Sequence, residues 1–361
     1  MRRSLAANLT NLNLALAVTR RCLKRGREEA DPRYLGQAQV ALEPWSDDAN
    51  PPVEVLVLRA TLHQSLHHFE TALAELGAAL VRDPRNVQAW LTKATIHTVR
   101  ADFAEARHAA VRLLPLTDEL TATTAVAQIA SVCGQGAGAI AQLKTVLAET
   151  QGRSDFESRA EGSQRLWAET VLAETLARLG HVPAAETHFK EGLKLAPRDP
   201  YLLGAYADFL LDQNRLEEVA ELLGEHKRID GLLLRWTEAT RSESGIEELA
   251  SRFEAARARG DRVHLREEAR FELRLRKRSA VALALAKENW QVQREPADAR
   301  LLIEAARAIS DHDTEDFVLD WAAQTKLEDV ALRSNRSPTK VSANTSSRGE
   351  PPAIQLGAGP K

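Results

Sequence analysis

Four histidines lie at spacings that could bring imidazoles together. His63 and His67 are one helical turn apart, His68 follows, and His97 stands 34 positions after His63. Three of them converging would supply nitrogen donors for a zinc ion. Against that, His67 and His68 fall where the chain must turn and would be solvated, so no metal is expected. A second candidate is the basic stretch from Arg252 to Arg278, where Lys and Arg outnumber Asp and Glu. Arg266, Arg270 and Arg274 share a helix face at four-residue spacing, which could grip phosphates or an acidic protein segment. Glu267, Glu268 and Glu272 are interleaved on adjacent faces, the pattern of a solvated, salt-bridged helix, and this reading is preferred. The string Gly134-Gln135-Gly136-Ala137-Gly138 is rich in glycine but lacks the strand and the Lys of a phosphate loop. A plain inter-helix turn accounts for it. Nucleophile elbows, zincin helices and paired-Cys motifs are absent from the sequence. Nothing asks for catalysis or for a cofactor.

The elements that must position these residues follow from composition and period. The chain has 361 residues; 44% are apolar but only 5% are aromatic. Its core must therefore be filled by Ala, Leu and Val, and Ala lets helices approach closely. A formal charge of -3 and a pI near 6.4 give no global pull towards nucleic acid or anionic lipid. Cys22 and Cys133 are too few and too far apart for a disulfide framework or a Cys-based zinc cage, and read as small buried residues. No run of eighteen apolar residues suggests a membrane span. After Arg2 and Arg3 the apolar run is broken by Asn8, Thr10, Asn11 and Asn13, so no signal peptide is expected.

The chain repeats. Ala60 recurs as Ala94 and Ala72 as Ala106, each 34 positions on, and the next unit follows with Ala127 and Ala139. Ala173 then meets Ala207. The eighth position of each unit (Ala60, Ala94, Ala127, Ala173, Ala207) and the twentieth (Ala72, Ala106, Ala139, Ala185) supply the small side chains that two helices crossing at about 8 to 10 Å require. Gly180 and Asn214 suit the turn between the helices. Pro84 and Pro197 stop one helix before the next begins.

Leu172, Ala173, Gly180, Ala185, Phe189 and Pro197 occupy the slots of the tetratricopeptide pattern, and Trp90 stands at its Trp position. The chain thus resembles a bacterial tetratricopeptide-repeat (TPR) protein with degenerate repeats. The resemblance implies an all-α, right-handed solenoid of helix-turn-helix repeats. It divides the chain into a degenerate N-terminal hairpin over 1–52, a repeat core over 53–228, further degenerate hairpins over 229–332 and a disordered tail over 333–361. The stretch Glu149 to Arg165 exceeds the period and is expected to form a polar loop or a frayed helix extension.

The resemblance also assigns the first helix of each unit to the concave face, with its second, fifth, ninth and twelfth positions projecting inward. The candidate groove is then Glu54, Val57, Thr61 and Gln64, followed by Gln88, Leu91, Thr95 and Thr98. It continues through Thr124 and Gln128 to Trp167, Thr170, Glu174, Tyr201 and Asp208. Members that hold the C-terminal carboxylate of chaperones use Lys, Arg and Asn at such places. Thr, Gln, Glu and Asp here argue against a carboxylate clamp.

Two functions are in view. The first is a non-enzymatic scaffold that holds a protein or peptide in the groove, without nucleic acid. The second is a helical enzyme or substrate-handling subunit with its site in 229–332. The cytoplasm is the expected compartment, with export the alternative if the true N-terminus lies upstream.

Overall fold

The small residues at the helix crossings are fully enclosed. Ala60, Ala72, Ala106, Ala127, Ala173, Ala185 and Ala207 expose no surface, and Ala94 and Ala139 almost none. Any larger side chain at these points would push the paired helices apart. In the computed structural model, which describes residues 10–29, 31–150 and 159–333, this contact recurs along a single file of hairpins.

In each hairpin a helix A is followed by a helix B. The order is α1 (Leu12–Glu29) and α2 (Arg33–Leu42), then α3 (Val53–Ser65) and α4 (Phe69–Arg82), α5 (Val87–Val99) and α6 (Phe103–Val111), α7 (Glu119–Ala130) and α8 (Gly136–Thr150). It continues with α9 (Arg159–Arg178) and α10 (Val182–Leu195), α11 (Pro200–Asp212) and α12 (Leu216–Leu223), α13 (Asp230–Thr240) and α14 (Glu243–Ala258). The last pairs are α15 (Leu265–Arg274) with α16 (Ser279–Trp290) and α17 (Pro296–Arg307) with α18 (His312–Thr325), closed by a short α19 (Val330–Arg333). The A helices from α3 to α17 touch one another in succession and form a continuous row. The fold is an all-α solenoid, and no described helix is long and apolar enough to cross a membrane.

Helix starts are written into the chain. Asn86, Asp118 and Asp199 accept hydrogen bonds from the backbone N–H groups of Ala89, Thr121 and Leu202, capping α5, α7 and α11. The stretch expected as a loop or frayed extension is partly helical, because α9 begins at Arg159, well before Leu166. Gln164 of that extension donates to the carboxylate of Asp118 at 3.0 Å, tying it to the cap of α7. The rest of the stretch, 151–158, and the tail from 334 lie outside the described residues.

Every A–B turn from α3 onward needs one residue at positive φ. His67, Ala101 and Asn214 adopt it near 60°, and Gly134 and Gly180 adopt it near 80°. Positive φ is tolerated by Asn and costs other side chains about 1 kcal/mol or more, so glycine is not demanded by the turn alone. At Gly134 a second reason operates. An added Cβ at Gly134 would lie 2.7 Å from the Cβ of Lys326, whereas one at Gly180 would make only ordinary contact with Val330 at 3.4 Å. The end of the solenoid therefore returns to its beginning. Val292 packs against the cluster that holds Ala60, Phe69 and Ile96, and Phe103 packs against the cluster around Trp290 and Leu302.

Replacing Ala173 with Trp is expected to split α9 from α10 and cost roughly 1–3 kcal/mol or more. Thermal melting followed by circular dichroism checks this; an unchanged midpoint contradicts the packing described.

Candidate functional site

The row of A helices presents two chemically different stretches. From α3 to α9 the inward positions are rich in Thr, and their hydroxyls turn back onto their own helices. Thr61 donates to the carbonyl of Val57 at 2.8 Å, Thr95 to Leu91 at 3.0 Å and Thr98 to Ala94 at 2.8 Å. Thr124 donates to Leu120 at 2.6 Å and Thr170 to Leu166 at 2.7 Å. A threonine inside a helix has this i−4 carbonyl within reach, so these hydroxyls are already engaged. Val57, Thr61, Thr124 and Thr170 are moreover buried between helices, because the A helices pack closely enough to enclose them. Glu54, Gln88 and Tyr201 are exposed, and Gln64, Leu91, Thr95, Thr98, Gln128, Trp167, Glu174 and Asp208 are half-buried.

From α11 to α17 the inner face is an arginine–carboxylate lattice. Asp208 receives Arg235 at 2.9 and 2.5 Å and Arg270 at 2.6 Å. Glu238 receives Arg270 at 2.6 and 2.8 Å and Arg274 at 3.3 Å. Arg274 also reaches Glu304 at 2.6 Å. Arg266 reaches Glu295 at 2.8 Å and lies 3.2 Å from Asp298. The salt-bridged reading of Arg266, Arg270 and Arg274 holds, but the helix is not solvated: Glu268 and Glu272 are buried, and the acceptors of the three arginines belong to other helices. Glu268 and Glu272 pair instead with Arg257 and Arg278.

Burial would raise the carboxyls of Asp208 and Glu238, yet the guanidiniums against them hold both below the ordinary range. Asp298 is pushed the other way, up to about 6, because burial outweighs Arg266. Around Tyr201 the balance is acidic. Its hydroxyl donates to Glu174 at 3.0 Å, and the charge of that carboxylate carries the phenol well above its usual pKa. Glu174 itself is raised by burial.

The remaining sequence candidates separate. His97 is buried with Nδ1 3.4 Å from Asp102, His63 faces Glu75, and His67 Nδ1 lies 3.1 Å from Gln293 Nε2. The imidazoles of His63, His67 and His97 thus turn to different partners. His67 is not the solvated turn residue expected; the returning end of the chain covers it. Among the described residues no group of three His, Cys, Asp or Glu is placed to hold a metal. Cys22 is buried, and burial pushes the Cys133 thiol up while its S–H lies 3.1 Å from the carbonyl of Ile129. The glycine-rich string forms the α7–α8 turn and the first turn of α8.

Arg235, Glu238, Arg300 and Glu304 belong to the lattice but escaped the repeat reading. Their signal was the recurrence of opposite charges on the inward face of successive A helices, which needs the register of the weaker units.

No protein-family model matches the sequence, and no curated protein does. Solved structures do. A Rap protein complexed with competence and sporulation factor aligns at a TM-score of 0.50 and 14% identity, over 88% of this chain and 98% of that one. The chain shares the helical-solenoid fold of that Rap protein. A tetratricopeptide repeat protein from Parabacteroides merdae also aligns, at a TM-score of 0.37 and 14% identity over 80% of this chain and 99% of that one. Identity this low shows a shared fold, so the solenoid's partner has to be argued from its own residues.

Glu238→Gln leaves Arg270 and Arg274 with one carboxylate each, and is expected to cost about 1–3 kcal/mol at neutral pH. Because the folded carboxyl titrates below its unfolded value near 4.3, its contribution is full above that pH and is lost as pH falls through the folded value. Wild type and variant should therefore converge in acid. Denaturant melts at pH 7 and in acid check this; a constant gap contradicts the pairing.

Proposed function

We propose that the protein is a non-enzymatic scaffold that holds a segment of a protein partner along the inner face of its A helices. The observation that carries this is the unbroken row of A helices with Gln88 and Tyr201 open on it. Gln64, Leu91, Thr95 and Trp167 flank them as partly open neighbours. Such a surface offers amide donors, an aromatic face and a few apolar contacts, which suits an extended or helical peptide segment. The similarly folded Rap protein was solved in complex with a factor, which supports an effector-holding use of this architecture.

The charge arrangement narrows the partner. Arg266, Arg270 and Arg274 are engaged by carboxylates, so the basic face lacks the free guanidiniums that gripping phosphates requires. Nucleic acid is not proposed, nor is a chaperone carboxylate clamp.

A second reading is a helical enzyme or substrate-handling subunit with its site in 229–332. The return of the last hairpins over one end of the polar groove favours it. Against it stands the use of the charged side chains there in ion pairs. A cleft of about 470 Å³ is lined by Pro52, Glu54, Arg82 and Asn86, outside that third, and a smaller one of about 290 Å³, lined by Trp290, Leu302 and Phe317, lies within it.

Immobilised protein is expected to capture the same polypeptide reproducibly from a native lysate, with Gln88→Lys and Tyr201→Ala weakening capture roughly tenfold, as for truncation of a contact worth about 1.4 kcal/mol. Capture unaffected by both variants contradicts the groove; no reproducible polypeptide contradicts the scaffold.

A further inference from the structure

The last hairpin does not end the solenoid as a free cap. It lies along five earlier A–B turns, counted from the α3–α4 turn. The loop before α17 meets the first two: Gln293 lies against His67, and the N–H of Arg294 donates to the carbonyl of Val99 at 2.8 Å. After α18 the chain crosses the third turn, where Lys326 covers Gly134 and Glu328 accepts the N–H of Gly136 at 2.9 Å. At the fourth, Val330 covers Gly180. At the fifth, Arg300 of α17 bridges Asp212 of α11 at 2.7 Å and Asp329 at 2.7 Å, with Asp329 buried.

The two kinds of contact differ in character. Each hairpin is held to the next by local apolar packing between neighbouring helices, the ordinary source of stability in repeat stacks. Contacts at the third and fifth turns join residues remote in sequence and include the polar bonds of Glu328 and Arg300, although Val132 at the third turn is also buried in one apolar cluster with Leu327 and Leu332. Asp212 is half exposed, and such a bridge weakens as salt screens it. Gly134 marks the crossing in the sequence itself. His67, Ala101 and Asn214 show that this turn does not need glycine, and Gly134 stands where a Cβ would run into Lys326.

We propose that residues 326–330 and Arg300 form a clasp that seats α17 and α18 over the A–B end of the groove, and that its release opens the superhelix while the hairpins stay folded. The closed form covers the end of α9, the helix that carries Glu174 against Tyr201. The clasp would set access to the inner face whatever segment is held there.

Small-angle scattering on the full chain, with circular dichroism as a check on helicity, tests it. The double variant Arg300→Gln/Glu328→Gln is expected to show a larger radius of gyration and maximum dimension at unchanged helicity, and wild type to follow as salt is raised. Gly134→Ala should open the molecule as well. Gly260→Ala, at a similar positive φ of 71° with nothing within 4 Å of its Cβ, should not. Oxidising a Gly180→Cys/Val330→Cys pair, with Cys133→Ser, should restore the closed dimension in the double variant. Unchanged dimensions in the clasp variants overturn the proposal. So does loss of helicity together with closure, which would make these contacts part of the fold and not a separable clasp.

Discussion

The close approach of helix A to helix B at a buried alanine is the constraint from which the rest follows. With no side chain beyond Cβ at the eighth and twentieth positions, each hairpin closes to one spacing, and stacking repeats that geometry down the chain. The A helices then sit in unbroken contact on the inside of a curved file. Curvature brings inward side chains two repeats apart within reach, which is why Arg270 bonds Asp208 across 62 positions. Carried further, it brings the ninth hairpin back over the second to the sixth.

That progression makes the inner face uneven. Early in the file the A helices carry Thr, whose hydroxyls bond their own backbone, and the surface left open is sparse and neutral. Later the same positions carry Asp, Glu and Arg, and the face neutralises itself. A buried carboxylate held below its usual pKa by two guanidiniums is satisfied, and removing one partner leaves the others unpaired. Tyr201 stands where the two stretches meet, exposed on the surface yet bonded to Glu174. If a partner is read by this groove, that junction offers the largest open side chain.

What the sequence showed was whatever one repeat decides alone. The alanines, Gly180 at its turn and Pro197 after its helix B are local demands, and they sit at fixed intervals that any window reveals. Inward positions were legible as positions, but not as functional groups: Thr124 and Thr170 have the right spacing, and the structure buries them. The partners of Arg266, Arg270 and Arg274 were sought on their own helix because only that helix lay within the window. Asp208, Glu238 and Glu304 stand far along the chain. Contacts that close the superhelix were invisible for the same reason, since Gly136 and Glu328 are 192 positions apart and His67 and Gln293 are 226 apart.

A closed superhelix and an open file of hairpins differ most directly in how their amides exchange with solvent. In an open file the last hairpin frays independently, and α17 and α18 exchange faster than every internal repeat, with no link to the early turns. Closure couples them. Native-state hydrogen exchange followed by mass spectrometry on the full chain should find the N–H groups of Arg294 and Gly136, which the closing contacts hold, opening together with one free energy and one denaturant dependence, and α17 and α18 protected like internal repeats. Exchange of α17 and α18 at the rate of a free end, with the early turns unaffected, would contradict the closure.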